Sequence, residues 1–142
     1  LMQDQFKKSN IGLVVSLPER ATFVMGHPIQ LEQVFLNLLA NARDAVADHV
    51  SDPRGSVTLA VEGDLVTVSV ADNGPGVPDA IERDIFDAFY TTKAIGKGTG
   101  LGLSVSRGII TDLEGDLTLS SSRDGAIFNI TLPVSRGVAT AA

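Results

Sequence analysis

The run Gly96-Lys97-Gly98-Thr99-Gly100-Leu101-Gly102 constrains the architecture of this chain more than any other stretch, because an apolar helical pattern follows it directly. A glycine-rich turn that opens a helix gathers backbone N–H groups at the positive end of the helix dipole, where anionic phosphates bind. Its surroundings exclude two common phosphate-binding folds. No Gly-Lys-Ser/Thr closes the run and no strand directly precedes it, so it is not a P-loop. A Rossmann fingerprint opens the first βαβ unit, whereas this run lies about two thirds of the way along the 142 residues.

The remaining pattern supplies the elements around that run. Ile11 to Leu17 and Ala21 to Met25 read as short strands separated by Pro18-Glu19-Arg20. Pro28 suits the first turn of a helix running to about Ala47. Strands at Ser56 to Glu62 and Leu65 to Ala71 flank Gly63-Asp64 as a hairpin. Alternation in the second sets Val66, Val68 and Val70 on one side and Leu65, Thr67, Ser69 and Ala71 on the other. A short helix is expected around Ile81 to Ala88, a loop from Tyr90 to Gly100, and a helix from Leu101 to about Leu113. Asp116 to Ser121 and Ala126 to Leu132 form a last hairpin. The order predicts an α/β (α+β) two-layer sandwich, a mixed sheet with about three helices on one face. One domain is expected over residues 1–134, with a disordered tail over residues 135–142.

Composition narrows the function classes. The net charge of −6 argues against nucleic acid as a partner, since phosphate backbones demand basic patches. The chain has no cysteine, which excludes disulfides and thiolate metal sites. No apolar run approaches the roughly 20 residues that span a bilayer. The first residues lack the pattern of a signal peptide, and they read as a cut made inside a longer protein.

Along the helix from Pro28, Leu31, Val34, Phe35, Leu38, Ala42, Ala45 and Val46 follow three- and four-residue spacing and mark a core stripe. Gln30, Gln33, Asn37, Asn41, Asp44 and Asp48 form a second stripe, roughly 110° around the axis. Alone, that stripe reads as a solvated polar face. Asn37 and Asn41, however, stand one turn apart and offer hard neutral oxygens of the kind that suits Mg²⁺ beside phosphates. Asp72 ends an apolar strand and precedes Asn73-Gly74-Pro75-Gly76, a turn in its own right. A carboxylate there can accept a hydrogen bond from an adenine amino group, while Gly76 lets a base approach the backbone. Lys93 and Lys97 flank the later glycine run and can neutralise phosphate charge. The three blocks together point to a nucleotide, ATP with Mg²⁺.

These blocks resemble the ATP-binding catalytic domain of sensor histidine kinases, in the superfamily shared with gyrase, Hsp90 and MutL. Leu31 to Ala42 is similar to the family's N box, Asp72 to Val77 to its first glycine box, Phe86 to Lys93 to its F box, and Gly98 to Leu103 to its second glycine box. The closing Phe128 to Pro133 is also typical, so the resemblance covers about Phe6 to Pro133. It implies a Bergerat-type ATP-binding fold. Asn41 with Asn37 would hold Mg²⁺, and Asp72 would bind the adenine amino group, with Gly74, Gly76 and Val77 beside it. Gly98, Thr99, Gly100, Leu101 and Gly102 would meet the phosphates, with Lys93 and Lys97. Residues 79–99 would form an ATP lid docked by Phe86 and Phe89.

Hydrolytic members of the superfamily carry a glutamate where this chain has Asn37, and an amide is no general base. The resemblance therefore implies a kinase that keeps the γ-phosphoryl for a histidine on a dimerisation and phosphotransfer domain, with a response regulator downstream. His27 and His49 flank the N-box helix and suit structural roles rather than that of acceptor. The implied location is cytoplasmic, with a parent protein anchored in the inner membrane. Alternative readings within the superfamily are a serine kinase of the anti-sigma type and an ATP-driven switch module. Departures from the family pattern are Arg43 in place of a common lysine, Ala88 in place of the F-box proline, Glu114-Gly115 in place of Gly-Gly, and Ala126 in place of a threonine.

Overall fold

The computed structural model describes residues 6–8, 10–19, 21–46, 51–82, 84–87, 102–122 and 124–135. Among them are the α-helices α1 (Pro28–Val46) and α2 (Gly102–Asp112), and residues 6–8 are helical as well. The strands are β1 (Gly12–Ser16), β2 (Arg54–Glu62), β3 (Leu65–Asp72), β4 (Asp116–Ser122) and β5 (Gly125–Pro133). They form one five-stranded sheet in the order β1-β2-β3-β5-β4. β1 runs parallel to β2 and every other pair is antiparallel, so the sheet is mixed as expected.

One face of the sheet carries the core. Register places Val66 opposite Leu132, Val68 opposite Ile130 and Val70 opposite Phe128, and all six are buried. The stripe of α1 meets them with Val34, Leu38 and Ala42, and α2 adds Ile110. Full burial of such aliphatic side chains stabilises by about 1.5–3 kcal/mol each. Val46 at the end of α1 packs instead with Phe6 and Ile11 in a second, smaller cluster. The opposite sheet face is polar at the centre of the β3–β5 pair: Thr67 faces Thr131, Ser69 faces Asn129, and the Ser69 hydroxyl donates to Asn129 Oδ1 at 2.7 Å.

α1 begins where the sequence places it, with the His27 carbonyl accepting the Leu31 N–H at 3.0 Å. His27 is thus a helix-entry residue. At its other end α2 closes through the Gly115 N–H, which reaches the Ile110 carbonyl at 2.9 Å, and Glu114 takes a left-handed φ of 64°.

Two expectations change. Residues 21–24 form no strand: their link to the chain's other end is the Ser135 N–H on the Phe23 carbonyl at 2.7 Å. A single bond is not a ladder, and Phe23 and Met25 stay exposed while Val24 packs on the core. The helix expected around Ile81 to Ala88 is two 3₁₀ turns, Asp79–Ile81 and Asp84–Phe86. Neither has the length to offset the cost of nucleating an α-helix, and the first has no side-chain cap. The loop expected from Tyr90 to Gly100 and all of the expected tail beyond Ser135, from Arg136 to Ala142, lie outside the described residues.

Candidate nucleotide-binding site

The polar stripe of α1 lies against the start of α2. The Asn37 Nδ2 donates to the Ser106 Oγ at 3.1 Å and to the Gly102 carbonyl at 3.3 Å. Gly102 has no side chain, and a β-carbon there would touch the Asn37 amide carbon at 3.6 Å. A carbonyl can only accept, so the NH₂ end of Asn37 must face Gly102, and its Oδ1 is left over as an acceptor. Asn41, one turn further on, is partly buried, and its amide makes no side-chain hydrogen bond to another described residue.

Asp72, the last residue of β3, anchors a second wall. Its Oδ1 accepts the Gly74 N–H at 2.9 Å, and the Ala126 N–H supplies another backbone bond to the carboxylate. Burial raises its pKa above the ordinary 3.8, and the two amides hold part of that rise back. The turn after it is pinned from several sides. Asn73 accepts the Arg54 N–H on Oδ1 at 2.7 Å and donates Nδ2 to the Asp52 carbonyl at 2.7 Å. The Val77 N–H donates to the Ser121 Oγ at 2.6 Å, and Gly76 adopts φ 77°. At Gly125, where φ is 135°, a β-carbon would run into the Asp72 carbonyl. Only glycine lets β5 pass this close and bring the Ala126 N–H to the carboxylate.

Phe86 closes the side next to α2. Its ring meets Phe128 edge-on, with centroids 6.3 Å apart and planes at 83°. The Arg107 guanidinium lies over the same ring, with Cζ 4.6 Å from the centroid. Lys93, Lys97, Gly98, Thr99, Gly100 and Leu101 lie outside the described residues, as does Phe89.

Of the expected site residues, Asn37, Asn41 and Gly102 come together on the α1–α2 seam, and Asp72, Gly74, Gly76 and Val77 in the turn after β3. Sequence reasoning missed Ser106, Arg107, Ser121 and Gly125. Gly125 alone carried a signal, as the glycine that opens the last strand of the final hairpin.

Among the described residues no three His, Cys, Asp or Glu side chains cluster as a metal site. The donor chemistry left for a cation is that of the amide oxygens. Such oxygens fit Mg²⁺, which takes few protein ligands and completes its shell with phosphate and water.

Residues 26–136 match the family of Histidine kinase-, DNA gyrase B-, and HSP90-like ATPases. The two-component sensor PprA of Pseudomonas aeruginosa is 39% identical over 95% of this chain, which spans 15% of PprA. The catalytic domain of histidine kinase ThkA, in a nucleotide-free form, superposes with a TM-score of 0.81 at 30% identity, covering 93% of this chain and 86% of that one. A structure of ThkA in complex with the response regulator protein TrrA gives a TM-score of 0.78 at 27% identity, over 94% of this chain and 37% of that one. No helix among the described residues is long and apolar enough to cross a membrane. A helix opening at Gly102 late in the chain, an N-box helix bonded to it, and a half-buried aspartate at the end of β3 agree with these matches: the chain belongs to the histidine kinase, gyrase B and Hsp90-like ATPase family, as an ATP-binding catalytic domain of the sensor histidine kinase type.

Proposed function

We propose that this domain holds Mg-ATP and presents its γ-phosphoryl to a histidine on a separate dimerisation and phosphotransfer domain, from which a response regulator is charged. The observation that carries this reading is the Asn37 amide bonded to Gly102 and Ser106. A glutamate at that place would set a carboxylate oxygen against the Gly102 carbonyl. The seam is built for a donor, so it lacks the base that would activate water, and bound ATP persists for an external nucleophile.

In this reading Asp72 accepts the adenine amino group, with Gly74, Gly76 and Val77 as the wall beside the base. Backbone N–H groups from Gly98 to Gly102, aided by Thr99, Lys93 and Lys97, receive the phosphates. The Asn41 and Asn37 carbonyl oxygens hold Mg²⁺, which offsets charge on the phosphate oxygens. An imidazole nitrogen of the acceptor histidine attacks the γ-phosphorus, the bond to the β–γ bridging oxygen breaks, and ADP leaves. Positioning and electrostatics supply most of the acceleration. The names of PprA, a two-component sensor, and of the ThkA–TrrA complex support the partner assignment. We place the domain in the cytoplasm, within a parent protein anchored in the inner membrane, and take residues 1–134 as the folded unit.

Calorimetric titration with a non-hydrolysable ATP analogue, with and without Mg²⁺, tests the site. Magnesium-dependent binding that Asn41→Ala abolishes is the expected result. Binding that ignores Mg²⁺ would remove the reading. Mixing the domain with a dimerisation domain of the same family then tests transfer to histidine.

A further inference from the structure

Ser106 is 0% exposed and is the buried polar side chain of the described core. It sits on α2 one turn before Ile110, which is equally buried and packs in the main cluster. By helical spacing that position asks for an aliphatic residue. A hydroxyl there carries a desolvation cost unless it is paired. Its partner is Asn37 Nδ2, at 3.1 Å, from the helix across the seam.

An asparagine amide has two ends of nearly equal shape and opposite chemistry, and rotation by half a turn exchanges them. If Asn37 is to offer an oxygen to a cation, its NH₂ must be held the other way. The Gly102 carbonyl does part of this, at 3.3 Å. That carbonyl belongs to the first turn of α2, at the end of the glycine run that receives phosphate in the reading above. Ser106 stands a full turn deeper in the same helix, in the core, and gives the amide a second acceptor.

We infer that Ser106 is a positioning residue for the metal side of the nucleotide site: its hydroxyl oxygen fixes the Asn37 amide so that Oδ1, not Nδ2, is presented to Mg²⁺. The inference rests on the proposed Mg-ATP reading and adds to it a residue that touches neither the nucleotide nor the cation.

The test compares Ser106→Thr with Ser106→Val. Both add the same methyl branch, so packing strain is common to the pair and the hydroxyl is the difference. Binding of a non-hydrolysable ATP analogue is measured for wild type and both variants, with Mg²⁺ and with EDTA, alongside thermal unfolding. The ratio of the two affinities isolates the metal. Ser106→Thr is expected to keep the wild-type ratio, while Ser106→Val loses on the order of 3–10-fold from the Mg²⁺ arm, the scale of one net hydrogen bond. The EDTA arm should move alike in both variants. In ¹⁵N-labelled protein the Asn37 side-chain NH₂ resonances should shift in Ser106→Val and stay near their wild-type positions in Ser106→Thr. Equal Mg²⁺ ratios in the two variants, with a magnesium-dependent wild type, would overturn the role of Ser106 and leave the site reading intact. A wild type that binds without regard to Mg²⁺ would overturn both.

Discussion

Ala45 and Gly74 are packed so closely that a β-carbon at residue 74 would lie 2.8 Å from the Ala45 carbonyl oxygen. The same atom would lie 3.0 Å from Asp72 Oδ1. The last turn of α1 and the turn after β3 are therefore set against each other by the absence of a side chain. Gly74→Ala should destabilise the fold by about 1–3 kcal/mol, the usual cost of overpacking. Urea unfolding would show the lower midpoint, and nucleotide affinity should fall with it, because the Asp72 carboxylate is displaced.

Asp72 carries a charge that burial opposes. Its raised pKa means that the folded state holds more protons than the unfolded state just above pH 3.8. Stability should accordingly decline as pH rises through that window, and Asp72→Asn should remove the decline. Adenine's amino group favours the ionised carboxylate, so nucleotide binding near the raised pKa should release protons. Calorimetry at mildly acidic pH in buffers of different ionisation enthalpy would count them. At neutral pH Asp72→Asn should cost binding about 1.5–3 kcal/mol, the range for a charged hydrogen bond.

The donor requirement at Asn37 has its own signature. Asn37→Asp keeps the shape and replaces NH₂ with an oxygen facing the Gly102 carbonyl. We expect a loss of about 1–3 kcal/mol at neutral pH. The introduced carboxyl would have a raised folded pKa, so its penalty is present above that pKa and shrinks as pH falls through it, when a protonated carboxyl can donate again. Unfolding midpoints against pH for wild type and variant give the answer.

Glu114 holds a left-handed φ of 64° at the end of α2, a conformation that costs a non-glycine residue roughly 1–2 kcal/mol. Glu114→Gly relieves that strain and gives back some chain entropy in the unfolded state. The net expectation is a gain of about 0.5–1 kcal/mol, read as a higher thermal midpoint.

Much of this was legible from residue spacing. Three- and four-residue periodicity picked out Val34, Leu38, Ala42 and Val46, and all four are buried. Alternation in β3 put Val66, Val68 and Val70 together on one side, and that side is the buried one. Ala21 to Met25 read as a strand from residue type and failed, because residue type says nothing about whether a neighbour completes the ladder. The residue types of Asp72 and Gly74 marked the turn after β3, but the Ala126 N–H on that carboxylate is backbone and leaves no mark in residue type. Ser106 was hidden differently. Its significance lies in a partner on another helix, and periodicity speaks only of neighbours within one element.

The seam between α1 and α2 joins residues far apart along the chain: 65 positions separate Asn37 from Gly102, and 69 separate it from Ser106. Closing so long a loop delays its reward, and contacts of this range slow folding relative to local ones. While the chain is being synthesised, Asn37 sits on its helix face well before the surface that orients it has left the ribosome. A fragment ending ahead of α2 would carry the Asn37 amide and still leave it unoriented. On the proposed reading, competence to hold a cation thus arrives late in the chain's emergence, and metal-dependent nucleotide binding would serve as a direct reporter of completed folding.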